Sequence, residues 1–344
     1  MDQPLLIIGA GLAGWQAVRE FRKLDTTTPI TLVTADAGDF YAKPTLSNAF
    51  GQKRGPAQLV TTPAATIAQT LNVNLLAHTQ VTAIDTVAQV VHTATGPLGY
   101  RDLVLASGAQ PIRVPLAGAA ADQVLSVNSL ADFGVFHQRL TALGEDALNI
   151  RIAIMGAGLI GCEFANDLAG ALSLTLSNGQ AIAADIVLSA IGLRADTALA
   201  QAAGMACERG ILVNRQLQTS APHVWALGDA AQYASAASPG APTGRTLPYV
   251  MPIMAAAKVL AANLTGTLAA LEFAAMPVAI KTPALPIVAH PPAPGQLGEW
   301  IEQTLGEWWF APVDTPERAL GFVLTGTHTS KRMALVKQMA PAAV

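Results

Sequence analysis

Directly after the apolar run Leu5-Leu6-Ile7-Ile8 comes the turn Gly9-Ala10-Gly11-Leu12-Ala13-Gly14, followed by a helical pattern from Leu12 to Leu24. In such a turn Gly9 allows the tight bend, Gly11 admits a pyrophosphate close to the backbone, and Gly14 lets helix and strand pack closely. The helix start adds free N–H groups and a partial positive charge for the phosphates. The same grammar returns as RIAIM at 151–155, then Gly156-Ala157-Gly158-Leu159-Ile160-Gly161, then CEFANDLA. Two such openings predict two dinucleotide sites on one chain. Asp36, 22 residues beyond Gly14, is either the acid that holds the adenosine ribose or a solvated loop aspartate. Asp229, in Ala226-Leu227-Gly228-Asp229, ends another strand-like run beside a permissive glycine, where it can reach a sugar hydroxyl.

The residues that are missing narrow the chemistry further. The chain has no G-x-S-x-G, H-E-x-x-H or C-x-x-C, and its two cysteines, Cys162 and Cys207, lie 45 residues apart. His78, His92, His137, His223, His290 and His328 show no metal-ligand spacing and read as surface or loop residues. A flavin needs no protein nucleophile, so a tightly held flavin at one opening and its reductant at the other is the reading.

The elements that must position these groups follow from the apolar runs. ITLVT at 30–34, DLVLAS at 102–107, DIVLSAIG at 185–192 and VWALGDAA at 224–231 read as strands or strand ends of parallel α/β units. Beyond Gly266 short β-like runs alternate with prolines, and SKRMALVKQM closes the chain as a late amphipathic helix. ASAASPGAPTGR at 234–245 reads as an exposed loop. The predicted architecture is α/β: two Rossmann-like dinucleotide-binding domains, the second truncated, plus a C-terminal α+β domain. The expected boundaries are 1–111 with 222–270, 112–221, and 275–344. With 20 basic against 23 acidic residues, the balance argues against a nucleic-acid binder. Lys258 and Glu272 interrupt the longest apolar stretches, so no membrane insertion and a cytoplasmic location are expected, with monomer or homodimer left open.

The chain resembles the FAD-dependent pyridine nucleotide–disulfide oxidoreductases, in their branch without a redox disulfide, and within it the rubredoxin reductases of bacterial alkane oxidation. GAGLAG (9–14), YAKPTLS (41–47), YRDLVLASGAQPIRVP (100–115), GAGLIGCEFANDL (156–168), ADIVLSAIGLR (184–194), VWALGDAA (224–231), YVMPIMAAAKVLA (249–261) and MPVAIKTPALPIV (276–288) carry the resemblance in order. It implies FAD on Gly9, Gly11, Leu12, Ala13 and Gly14, with Lys43 and Pro44 beside the ribityl and phosphate portion. It matches Ser107 and Gly108 to the family's ATG-like strand end, and Gly228 and Asp229 to the ribityl site. Gly156, Gly158 and Gly161 would cradle NADH, Glu163 would lie near the nicotinamide, and Lys281 near the flavin. The helix near Pro252 would aim its N-terminus at the flavin. The implied acceptor is rubredoxin or a similar acidic iron protein, with a ferredoxin or another small acceptor as the alternative. Lys331, Arg332 and Lys337 are either a docking cluster or a solvated helix end. Trp300, Trp308 and Trp309 read as core or a subunit contact.

One departure from the pattern is large. Only 15 residues, 170–184, separate FANDLA from DIVLSAIG, and LSLTL-SNG-QAIAA reads as a hairpin turning at Gly179. Roughly fifty residues of the family's second domain are absent between Ala169 and Leu172, since even one crossover needs about 10–12. The residue that reads the adenosine ribose goes with them, and the apolar face of IAIM needs a new cover. Three accounts stay open: a deletion variant with little NADH turnover, a rearranged minimal reductase, or a flavoprotein with another reductant or a binding role. Bound FAD with weak NADH reduction is the expectation.

Overall fold

The computed structural model describes residues 3–118, 120–144, 150–168, 184–234, 244–273, 275–293 and 295–339. Its central sheet is parallel throughout, in the order Val224–Ala226, Asp102–Leu105, Leu5–Ile8, Ile30–Val33, Asn74–Leu76. Leu5–Ile8 and Ile30–Val33 are wholly buried, as continuous apolar runs in a sheet covered on both faces must be. Helix α1 (Leu12–Leu24) buries Ala13, Ala17 and Val18, and α2 (Val250–Leu264), with Ala256, Ala257, Leu260 and Ala261 buried, packs on it. Small side chains on these faces let the helices approach closely.

This core also takes in Ala200, Met205, Ile211, Val213 and Leu217, and Ile211–Val213 pairs in parallel with Ala231–Tyr233. These five residues, from the stretch 112–221 expected in the second domain, pack into the core of the first. A two-stranded antiparallel pair, Ala109–Pro111 with Leu193–Ala195, joins this domain to the next.

In the second domain Ile152–Met155 pairs in parallel with Ile186–Ser189, whose far edge takes Leu125. The apolar face of this pair is covered by Phe133, Phe136 and Phe164, together with Leu46, Ala49 and Leu59 from the first domain. Ile152 is buried as a result, so the described strands of this sheet take part of their cover from Leu46, Ala49 and Leu59. The hairpin expected around Gly179 and most of the loop at 234–245 lie outside the described residues.

The C-terminal unit is an antiparallel sheet, ordered Val278–Ile280, Ile287–His290, Gly321–Thr325, Glu307–Ala311, Glu299–Thr304, with the helix Arg332–Gln338 packing on one face. Trp309 joins Val288, Phe322, Leu324 and Leu335 in its core, whereas Trp300 stacks edge-on against Phe310 and stays half-exposed. His290 is not the surface residue expected: it is partly buried at the end of its strand, its Nδ1 has no partner among the described residues, and burial pushes its pKa down. Pairing of its strand with Gly321–Thr325, where His290 lies opposite Phe322, placed it there, a long-range event that local spacing does not report.

Glu307, 3% exposed, ties this unit together. It accepts from Lys331 Nζ at 2.5 Å and from Trp309 Nε1 at 3.0 Å, with His328 Nδ1 at 3.3 Å. Burial pushes its carboxyl up, but these donors together hold it below the ordinary range. A carboxylate with a depressed folded pKa contributes stability above its unfolded pKa and loses it as pH falls through the folded value. Unfolding of this unit, followed by Trp fluorescence, is therefore expected to become easier as pH drops below about 4.5, and Glu307→Gln should flatten that dependence. An unchanged acid limb in the variant would remove Glu307 from this role.

Candidate functional site

The first glycine turn has the geometry of a phosphate cradle. Gly9 sits at φ +106°, and a side chain on it would lie 2.3 Å from the Ala106 carbonyl oxygen. A Cβ on Gly14 would fall 1.9 Å from the Gly9 oxygen, so helix and turn touch there. A Cβ on Gly11 would meet nothing within 4 Å, and no side chain caps α1. Leu12 and Ala13 open the helix behind it, and Ala13 packs against Gly228, which sits at φ +78° with room for no Cβ. The turn is thus tight against protein on two sides and open on the side where a pyrophosphate would approach.

Lys43 lies near enough to Asp229 for the two charges to act on each other. Burial pushes the Lys43 ammonium down and the Asp229 carboxyl up, and each is partly corrected by the charge of the other. Lys43 Nζ donates to Asn128 Oδ1 at 2.8 Å, and Asn128 Nδ2 donates to the Ala109 carbonyl at 2.7 Å. Asp229 also lines a cavity of about 540 Å³ shared with Arg194, Thr197, Arg209 and Thr246. The start of α2 lies beside Asp229, since Ile253 approaches Gly228. Tyr233, fully buried, accepts from the Gly228 N–H at 2.8 Å and so holds the turn that carries Asp229.

The other expected residues fall around this cleft with varied roles. Ser107 donates to the Asp196 carbonyl at 2.9 Å, so its hydroxyl is spent on the interdomain link. Gly108, at φ +75°, faces open space. Asp36 follows the strand Ile30–Val33, and one carboxylate oxygen accepts from Thr34 Oγ1 and the Gly38 N–H, closing its own turn. Pro44 is the second residue of a short 3-10 helix, Lys43–Asn48, whose last residue has a buried Oδ1 with no partner among the described residues.

Glu163 and Lys281, read separately from the sequence, are in direct contact. Lys281 Nζ lies 2.6 Å from Glu163 Oε2, the Lys281 backbone N–H donates to Oε1 at 2.9 Å, and Ser47 Oγ also donates to Oε2. Lys281 Nζ further reaches the Pro44 carbonyl. Glu163 is 4% exposed, and both its oxygens are engaged within the protein. One turn on, Asp167 accepts from the Phe50 and Gly51 N–H groups, and Asn166 from the Ala284 N–H. Helix α3 (Leu159–Leu168) therefore pins segments of both other domains. Ser47, Asn128 and Asp167 were missed as site residues. The i, i+4 spacing of Glu163 and Asp167 could have flagged one acidic face.

The second glycine turn has the same form as the first. Gly156 sits at φ +112° against the Ala190 oxygen, Gly161 touches Gly156, and Gly158 is exposed with open space where a Cβ would be. Lys331 and Arg332 differ from the expected basic cluster. Lys331 is neutralised by Glu307 at 2.5 Å, while Arg332 and Lys337 are exposed.

The pyridine nucleotide-disulphide oxidoreductase model matches residues 3–172 and 166–244, two stretches that meet where the second domain is shortened. A rubredoxin binding C-terminal domain model matches residues 270–339. The rubredoxin-NAD(+) reductase of Alcanivorax borkumensis is 36% identical over 390 residues, covering 98% of each chain. That alignment is longer than the 344 residues present here, the excess being positions this chain lacks. The nitric oxide reductase FlRd-NAD(+) reductase of Vibrio vulnificus is 34% identical over 99% of each. Among solved structures, NADH:rubredoxin oxidoreductase from Clostridium acetobutylicum shares the fold with a TM-score of 0.76 at 18% identity, over 98% of this chain and 95% of that one. The covalent putidaredoxin reductase–putidaredoxin complex contains a chain with a TM-score of 0.81 at 22% identity, over 98% and 94%.

Proposed function

The chain belongs to the pyridine nucleotide–disulphide oxidoreductases, and from that premise we propose that it is an FAD-dependent reductase passing electrons from NADH to rubredoxin. The observation that carries this is that the open Gly9–Gly14 turn packs through Ala13 against the Gly228–Asp229 turn, with Lys43 near enough for its charge to act on Asp229. The donor set suits FAD: an open glycine helix start for the pyrophosphate, a carboxylate for a sugar hydroxyl, and a lysine for phosphate or flavin oxygen. Bound there, FAD would supply the conversion of a two-electron hydride into single electrons. The chain's own part is positioning and electrostatics. Asn128 orients Lys43, Tyr233 holds the Gly228–Asp229 turn, and α2 directs its positive end toward the cleft.

Glu163 acts in this reading through Lys281, as a positioning residue. With its oxygens engaged by Ser47 and Lys281, it holds a cation of the C-terminal domain against the Lys43–Asn48 turn. The reductant's nicotinamide would approach from the Gly156–Gly161 side of the same helix. The C-terminal domain matches a rubredoxin-binding model, and we assign its exposed Arg332 and Lys337 to steering an acidic acceptor. Reversing both charges is expected to slow rubredoxin reduction while leaving ferricyanide reduction unchanged. Equal loss with both acceptors would remove the docking role.

The test of the function is an anaerobic titration. The protein should purify yellow, and NADH should bleach the flavin, slowly because adenosine recognition is impaired. A colourless protein after refolding with excess FAD would sink the reading. A yellow protein that dithionite bleaches and no nicotinamide does would leave a flavin-binding module, the alternative function.

A further inference from the structure

The second nucleotide site is complete at its phosphate end and cut at its adenosine end. Gly156, Gly158 and Gly161 keep the tight turn, the open approach and the close helix packing that a bound phosphate needs. The adenosine of a dinucleotide binds beyond the end of the next parallel strand, the one that follows the helix. Here α3 ends at Leu168 and described structure resumes at Ala184, leaving 15 residues in between. A strand of about five residues, a return crossover of at least about ten to twelve, and turns at both ends exceed that length whatever fold the segment takes. Among the described residues, Ile152–Met155 pairs only with Ile186–Ser189, whose other edge is taken by Leu125. The two stretches matched by the family model meet at 166–172, in the same place.

We propose that this chain reads its reductant as a nicotinamide mononucleotide: the nicotinamide, ribose and adjoining phosphate carry recognition, and the adenosine half contributes little. This rests on the flavin reductase reading above. Reduced nicotinamide mononucleotide (NMNH) then serves as well as NADH, and NADPH is not distinguished from NADH, because the 2′-phosphate would sit on the part that is gone. Dihydronicotinamide riboside, which has no phosphate for the helix start, falls behind all three.

The experiment uses the FAD-loaded protein under anaerobic conditions. Dithionite first establishes that the bound flavin is reducible, and stopped-flow bleaching then compares NADH, NADPH, NMNH and the reduced riboside. Isothermal titration of NAD(+) and of oxidised mononucleotide gives a second readout independent of turnover. Second-order rates for NADH, NADPH and NMNH within about threefold of one another, and dissociation constants for the two oxidised ligands equally close, are expected; a factor of three is about 0.65 kcal/mol. The riboside should be slower by about tenfold or more. A preference for NADH over NMNH of about thirtyfold or greater, in rate or in affinity, overturns the proposal and leaves the flavin reductase reading standing. Absence of reducible flavin would instead defeat the functional reading, and the titrations would still decide the recognition question. Gly158→Ala supplies a control that folds, since its Cβ meets no protein atom. It should weaken NAD(+) and the mononucleotide by the same factor, and an unequal loss would show that adenosine is being read.

Discussion

Lys281→Met is expected to destabilise the protein by about 3 kcal/mol, the low end for breaking a buried ion pair, because the lysine is itself about one-third exposed. The cost arises at the residue left behind. Glu163 would be left at 4% exposure with its ammonium partner gone, accepting only from Ser47 and the backbone of residue 281. Denaturant unfolding measures the loss. Limited proteolysis should also show strands 278–290 cut faster, because the Lys281 side chain links them to α3 and to the Lys43–Asn48 turn. Adding Glu163→Gln to the variant should recover most of the stability, since a neutral amide oxygen can still accept from Ser47 and from the backbone N–H. A single variant as stable as the parent would mean the pair contributes nothing, and the account of α3 as a three-way anchor would fail with it.

Gly11→Ala should separate cofactor binding from folding. Nothing in the protein lies within 4 Å of the added Cβ, so the apoprotein is expected to keep its melting temperature within experimental error. The methyl group would stand where the pyrophosphate approaches the backbone, and FAD affinity should fall by about a hundredfold, or roughly 2.7 kcal/mol. Gly14→Ala is the contrasting case. Its Cβ would lie 1.9 Å from the Gly9 carbonyl oxygen, so helix and turn must move apart and the fold itself should lose about 3 kcal/mol or more. Flavin fluorescence on titration and thermal melts of the apoproteins distinguish the two. Unaltered FAD affinity in Gly11→Ala would take the cradle out of the cofactor site.

Much of this arrangement was legible along the chain because its signals are local. A buried parallel strand, a glycine turn and a helix follow one another within about twenty residues, and each leaves its period or its glycine in the sequence. The strand Leu5–Ile8 and helix Leu12–Leu24 lie where the pattern placed them. The late helix and the antiparallel C-terminal strands were visible for the same reason. The lysine cluster read less well: Lys331 stands beside Arg332 in sequence, but a glutamate 24 residues earlier neutralises it.

Chain order and residue type were enough to place two glycine turns at strand–helix junctions, to indicate the family, and to count a second domain shorter than the family's, since all of these depend on neighbours and on counted length. The meeting of Glu163, Ser47 and Lys281, up to 234 residues apart, was not written in any local pattern. Nor was the bridge from Lys43 through Asn128 to Ala109, or the cover that Leu46, Ala49 and Leu59 lend to a neighbouring sheet. Such contacts form only when separate domains dock, where burial gives each unpaired charge or apolar face a reason to find a partner.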